Sequence, residues 1–361
     1  MPCMDEPCDI CRAADGMRPL LDVSLSGVLD AVVRECSQCG FRQVRPRLQR
    51  HELSILYPDD YFESGSSLGF SEYYRQQQRD EREAYFLAKL LRRTAPTGRI
   101  LDVGCALGFL LDGVQRFTEW NVTGIDVSRL AVYFARERYG LDARCGTLDE
   151  LRFEDRSFDF IVQKDLLEHV PDPRAHVEET ARILKPGGFL WTVTPNGDAN
   201  IRPLQAIVRK IRDRGEDRLP RLDQGHVSFF RLEHLLRLFS DCGFDCVRAR
   251  STDISRGMRA LGILPMKKKS FITGPRGNVR KESGSLHSAG PDPPEPVATD
   301  GAQDAELQPI YREICEQMDR SRKPLRSAPA YFYFRRFSSA LKTLPASLPY
   351  GNDFDLLLRK R

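Results

Sequence analysis

The chain has 361 residues, 41% of them hydrophobic and 29% charged, and no apolar run reaches the roughly 18 residues of a helical membrane span. Its 55 basic and 51 acidic residues leave a net charge of +4, far from the strongly basic profile of a dedicated nucleic-acid binder. At about 150 residues per domain, the length accommodates roughly two domains with extensions.

The first residues, Met-Pro-Cys-Met-Asp-Glu-Pro-Cys, lack the basic start and apolar stretch of a secretory signal, so a reducing cytoplasm and free thiols are expected. Half of the ten cysteines nevertheless fall within the first forty residues. Four of these form two Cys-x2-Cys pairs, Cys8 with Cys11 and Cys36 with Cys39, and Leu20 to Val33 between them alternates like a hairpin. Two such knuckles close a tetrahedral four-thiolate zinc site. Residues 1–45 are therefore expected to be a zinc-ribbon-like segment, stabilised by metal because so short a segment has little core of its own. Cys3 is either a spare ligand or a free thiol.

Residues 46–79 form a linker or cap, with Tyr57-Pro58-Asp59-Asp60-Tyr61-Phe62, a Gly/Ser-rich turn and Tyr73-Tyr74. Helical spacing begins near Asp80, with Ala84, Leu87, Ala88 and Leu91 on one face, and stops before Pro96 and Gly98. Strands at 99–103, 121–127, near 143, at 158–163 and at 189–194 then alternate with helices at 110–117, 129–138 and 173–184. Another helix at 231–240 and a strand at 244–250 follow. That alternation predicts a doubly wound parallel α/β sheet over residues 80–253. Residues 254–350 read as an insertion, with 265–305 too rich in Gly, Ser, Pro and charge to order and a helix at 307–318. The apolar end, 351–361, supplies a last strand.

The chemistry concentrates at strand ends. Leu101-Asp102-Val103-Gly104-Cys105-Ala106-Leu107-Gly108 places glycines at a strand-to-helix turn, where a missing side chain lets backbone approach a ligand. Gly124-Ile125-Asp126 ends the next strand with an acid suited to ribose hydroxyls. The spacing is not Gly-x-Gly-x-x-Gly, so no dinucleotide pyrophosphate is indicated. Together with Phe158-Asp159-Phe160-Ile161-Val162, Leu167-Glu168-His169-Val170-Pro171-Asp172-Pro173 and Leu184-Lys185-Pro186-Gly187-Gly188-Phe189, these motifs resemble the class I S-adenosylmethionine-dependent methyltransferases over about residues 80–250. The resemblance implies a Rossmann-like seven-stranded sheet, its last strand inserted antiparallel. It also implies that Asp102, Gly104, Cys105 and Gly108 line the methionine of S-adenosylmethionine. Asp126 would hold its ribose, and Val127, Thr147, Leu148 and Gln163 would flank the adenine or close the pocket.

Methyl transfer from a sulfonium mainly requires alignment, with a base where the acceptor's pKa is high. Asp165, Glu168, His169 and His226 are the candidates, Glu168, His169 and His226 being the ones retained as catalytic. Each also has a structural reading, Glu168-His169 as a helix start and His226 as a local cap. The N-terminal cysteines with Tyr-Pro-Asp-Asp-Tyr-Phe also resemble bacterial methyltransferases of sugars and polysaccharide precursors. The nucleotide-sugar C-methyltransferases among them carry Tyr and Glu ahead of the histidine, whereas Asp223, Gln224 and Gly225 stand here, which favours oxygen over carbon. A small-molecule or saccharide-type acceptor is thus expected. Residues 199–222 read as an amphipathic helix with a basic face, either merely solvated or a lid for an anionic or lipid-linked acceptor at a membrane surface. The rival readings are an RNA methyltransferase using Lys267 to Lys269 and Arg335-Arg336, and a non-catalytic binding module.

Overall fold

The computed structural model describes residues 6–14, 16–25, 29–49, 52, 56–57, 61, 76–197, 221–222, 225–252, 305–321, 343–345 and 353–361. The chain begins with an antiparallel hairpin, β1 (Met17–Leu25) and β2 (Leu29–Cys36), followed by β3 (Arg42–Arg45). A helix, α1 (Gln77–Thr94), buries Ala84, Leu87, Ala88 and Leu91, the face read from its spacing.

Next come β4 (Arg99–Val103), α2 (Phe109–Phe117), β5 (Asn121–Asp126), α3 (Arg129–Tyr139), β6 (Asp142–Cys145), α4 (Leu148–Leu151) and β7 (Phe158–Lys164). They are followed by α5 (Pro173–Ile183), β8 (Leu184–Pro195), β9 (Arg221–Leu222), β10 (Ser228–Phe229), α6 (Leu232–Asp241) and β11 (Phe244–Thr252). The described part of the insertion holds α7 (Gln308–Ser321) and β12 (Thr343–Pro345), and β13 (Asp353–Lys360) closes the chain.

Local chemistry sets several boundaries. The Ser128 hydroxyl accepts from Ala131 N at 3.2 Å to start α3, and Gly140 ends it in the left-handed region. Asp172 caps α5 ahead of Pro173, whose ring suits the first helical position.

The main sheet runs β12-β11-β13-β8-β7-β4-β5-β6: seven substantial strands with three-residue β12 added at one edge. Strands β6, β5, β4, β7 and β8 are parallel, while β13 lies antiparallel between β8 and β11. The expected inserted last strand is therefore present. It is held by Phe354, Leu356 and Leu358 in the core and by Trp191 Nε1 donating to Asp355 Oδ1 at 2.9 Å.

The N-terminal hairpin does not stand apart. Its sheet, ordered β10-β3-β2-β1-β9, takes its two outer strands from residues beyond 220. Cys8, Ile10, Cys36 and Phe41 share one apolar cluster with Phe230, Leu235 and Phe239. Arg174 of α5, itself buried, donates to the Asp9 and Ile10 carbonyls at 2.6 and 3.1 Å and pairs with Asp241 at 3.1 Å. The core that so short a segment lacks is supplied by the larger domain. Among the described residues, no helix is long and apolar enough to cross a membrane.

Candidate functional site

The turn after β4 is tight, with Cys105, Ala106 and Leu107 buried. Gly104 and Gly108 have φ of 78° and 79°, and Ala106 between them lies at 47°, a conformation that alanine adopts only under constraint. The constraint comes from β5. Ile125 O accepts from Gly104 N and Cys105 N at 2.8 and 3.0 Å. Asp126 then fastens both sides of the crevice, Oδ2 accepting from Ala106 N and Oδ1 from Ser128 N, each at 2.9 Å. Gly124 permits this closeness, since a Cβ there would lie 2.8 Å from Cys105 Sγ.

Asp102, 4% exposed at the end of β4, has its carboxyl pushed up to about 7. Burial is the main cause; Lys164 opposes it, and Asp80 and Asp126 add to it. Lys164 is itself paired with Asp80 and Glu83 at 2.7 and 2.6 Å. Beside Asp126, Val127 is 51% exposed. Thr147 forms a capping box with Glu150, and Leu148 is buried in the main core. Ala106, Leu107 and Phe109 also pack with Leu307, Ile314 and Met318, so the insertion's helix α7 backs the glycine turn.

One expected pocket residue faces elsewhere. Gln163 is fully buried in β7 and donates from Nε2 to Thr180 Oγ1 of α5 at 2.7 Å. Strand alternation turns its side chain into the sheet-to-helix layer, which corrects the reading of this residue as an adenine neighbour.

Beyond β7 the chain turns through Asp165, at φ 52°, into a single 3-10 turn, Leu167–His169. Glu168 is buried, and its Oε2 accepts from Thr194 Oγ1 at 2.8 Å. Burial above all pushes its carboxyl well up, and Asp165 pushes it further. His169 packs edge-on against His226, ring centroids 4.8 Å apart, and its Nδ1 lies 2.5 Å from Tyr57 Oη and 3.3 Å from Gly225 O. Burial drives both imidazoles toward the neutral form, His169 to about 3 and His226 to about 4. Glu168 and His169 thus do more than start a helix, and His226 meets His169 across the fold. Asp165 sits at the rim, 3.4 Å from Arg79.

Tyr57 and Tyr61, read from sequence as part of a linker or cap, belong to this site. Their rings lie 5.1 Å apart; Tyr57 meets His169, and Tyr61 packs against the cluster that holds Ala106 and Leu107. The only signal for this was an aromatic cluster in a polar stretch. The Lys164–Asp80–Glu83 group left no motif at all.

The four expected metal cysteines converge. Cys8 Sγ is 3.7 Å from Cys39 Sγ, and Cys11 Sγ is 3.5 Å from Cys36 Sγ, with all four sulfurs within 4.8 Å of one another. Each Cys-x2-Cys turn ends on a left-handed residue, Arg12 at φ 64° and Gly40 at φ 73°, so the two knuckles are alike. His234 clamps the second, with Nδ1 accepting from Arg231 N at 3.1 Å while Nε2 meets Cys39 O at 2.9 Å. Cys3, the 201–211 amphipathic stretch, Lys267 to Lys269 and Arg335-Arg336 lie outside the described residues.

Residues 74–249 match the family model described as Methyltransferase domain. A ubiquinone biosynthesis O-methyltransferase of Alkalilimnicola ehrlichii is 42% identical over 105 residues, 27% of this chain and 42% of that protein. Its counterpart in Parvibaculum lavamentivorans is 32% identical over 102 residues, 27% of this chain and 40% of that protein. The chain thus spans about two fifths of the length of these curated relatives. Among solved structures, a SAM-dependent methyltransferase of Thermotoga maritima, described as a possible histamine N-methyltransferase, aligns at 22% identity. It covers 51% of this chain and 81% of that one, with a TM-score of 0.37.

Proposed function

We propose that the protein is a class I methyltransferase, its residues 74–249 matching a methyltransferase-domain family model, and that it transfers a methyl group from S-adenosylmethionine to an oxygen of a small-molecule or saccharide-type acceptor. The observation that carries this reading is the Asp126 carboxylate, which ties the glycine turn to the start of α3 through Ala106 N and Ser128 N. Backbone amides at Ala106, Val127 and Ser128 still leave lone pairs on its oxygens for ribose hydroxyls.

The residues fit that ligand. Buried Asp102 offers a carboxyl to the methionine ammonium, the turn Gly104, Cys105 and Gly108 presents backbone to its methionine part, and Val127, Thr147 and Leu148 border the adenine side. When bound, S-adenosylmethionine supplies a methyl group made electrophilic by its sulfonium. Alignment does most of the remaining work, with Tyr57, Glu168, His169 and His226 as the acceptor side, where the hydroxyl's proton leaves. The relatives' names, which concern an O-methylation, support oxygen over nitrogen.

The same reading gives Cys8, Cys11, Cys36 and Cys39 a structural zinc ion. Four ligands about 2.3 Å from a tetrahedral centre stand about 3.75 Å from one another, and the 3.5 and 3.7 Å sulfur separations are close to that edge. Such an ion keeps its thiolates reduced in the cytoplasm. The working units are then residues 1–45 as zinc segment, 46–79 as cap, 80–253 with 351–361 as catalytic core, and 254–350 as insertion.

The test is calorimetric titration of the full chain with S-adenosylmethionine and its demethylated product, beside Asp126→Ala. Micromolar binding that the variant loses is expected. A folded wild-type protein that binds neither compound refutes the proposal.

A further inference from the structure

We infer that Glu168, His169 and His226 form a second metal site, a two-histidine, one-carboxylate face for a divalent transition cation beside the glycine turn. The inference rests on the methyl-transfer reading above and deepens it by naming what handles the acceptor's hydroxyl.

Three observations lead to it. One ligand atom from each of the three residues lies within 4.8 Å of the other two, a cluster that must draw in to about 3.4 Å between donors to hold a tetrahedral ion at bonds of about 2.1 Å. Glu168 Oε1 is buried without a hydrogen-bond partner, although Oε2 of the same carboxyl is satisfied by Thr194. Its nearest basic atom, His169 Nε2, is 3.8 Å away. That is too long for a hydrogen bond, and an ion between the two would draw them a few tenths of an ångström closer, to about 3.4 Å.

The outer contacts support the same geometry. Gly225 O, which only accepts, lies 3.3 Å from His169 Nδ1, so the ring proton belongs on Nδ1 and the Nε2 lone pair faces Glu168. Tyr57 Oη, 2.5 Å from the same Nδ1, then accepts as well. This is the outer-shell arrangement that fixes the tautomer of a metal-bound histidine.

Two imidazoles and one carboxylate select zinc, manganese, iron or cobalt over calcium or magnesium, and three protein ligands leave positions open. An acceptor hydroxyl bound there is acidified as metal-bound water is. Its O–H bond breaks heterolytically and the proton passes to solvent, since imidazoles engaged by a metal cannot take it. The oxygen's electron pair then forms the new C–O bond while the S–CH3 pair returns to sulfur, which loses its positive charge.

The experiment is a cobalt(II) titration of the full chain after chelator treatment, followed by absorption, with elemental analysis of the untreated protein. Two ions per chain are expected, one with a thiolate-to-cobalt charge-transfer band and one without it. Glu168→Gln and His226→Gln should weaken the second at least tenfold and leave the thiolate band intact, whereas Cys36→Ser with Cys39→Ser should do the reverse. A wild-type protein that binds one ion, all of it in the thiolate band, overturns the site without need of a variant, as does a second ion unchanged in both Gln variants. Titration of the same preparation with S-adenosylmethionine separates the two claims. Methyl-donor binding with a single ion leaves methyl transfer standing and removes the metal, and two ions without donor binding do the opposite.

Discussion

Asp102→Asn isolates what the burial of one carboxyl does to the whole fold. Asp102 is 4% exposed, and its pKa rises from the ordinary 3.8 to about 7 because burial disfavours the anion, with Asp80 and Asp126 adding to it and Lys164 only partly offsetting it. Below pH 4 the folded and unfolded chains both hold this proton and the group contributes nothing to pH dependence. As pH rises through the unfolded value the unfolded chain releases it while the folded chain keeps it, so stability falls until the folded pKa is passed. At about 1.4 kcal/mol per pH unit, the full penalty is about 4 kcal/mol at pH 8.

Asparagine removes the titration. Any packing cost of the buried amide is independent of pH, and groups titrating in both proteins cancel in the difference. The assay is urea unfolding of both proteins, without methyl donor, at half-unit intervals from pH 4 to pH 8. Unfolding free energy of the variant relative to the wild type should climb by about 4 kcal/mol across that range. A difference flat to within about 1 kcal/mol would mean that Asp102 is ionised in the folded protein, and that the Lys164 charge governs it rather than burial.

Three further outcomes are expected. Arg174→Ala leaves the Asp9 and Ile10 carbonyls and the Asp241 carboxylate without their shared donor, and should cost about 3 kcal/mol, read as a lower urea midpoint. Cys36→Ser should release the N-terminal zinc, measured by elemental analysis, and lower Tm because the knuckles carry Phe41 and Ile10 into the main core. Gly108→Ala forces a side chain into the left-handed region with its Cβ 2.7 Å from Leu141 Cδ1. It should lose about 1–3 kcal/mol and bind S-adenosylmethionine at least tenfold more weakly by calorimetry.

Much of the fold was legible because it is written in short stretches. The Ala84, Leu87, Ala88, Leu91 spacing announces α1, and Gly104 and Gly108 announce a turn that needs positive φ. Cys-x2-Cys announces a knuckle, since four residues suffice to bring two sulfurs round. The site was legible only in part. Gln163 sits at a strand end like its neighbours, and nothing local says that it bonds to Thr180 rather than lining the crevice. Tyr57 looked like linker because its partner, His169, is 112 residues away.

The sequence alone thus determined the alternation of strands and helices, the glycine turn with its acid on the next strand, and the pairing of cysteines into knuckles. Each depends on backbone conformation or apolar period within a few residues. Only the tertiary structure decided that strands beyond residue 220 complete the cysteine sheet, and that Tyr57, Glu168, His169 and His226 meet. Those placements follow from which faces must be buried together, a condition on the whole sheet that no single segment carries.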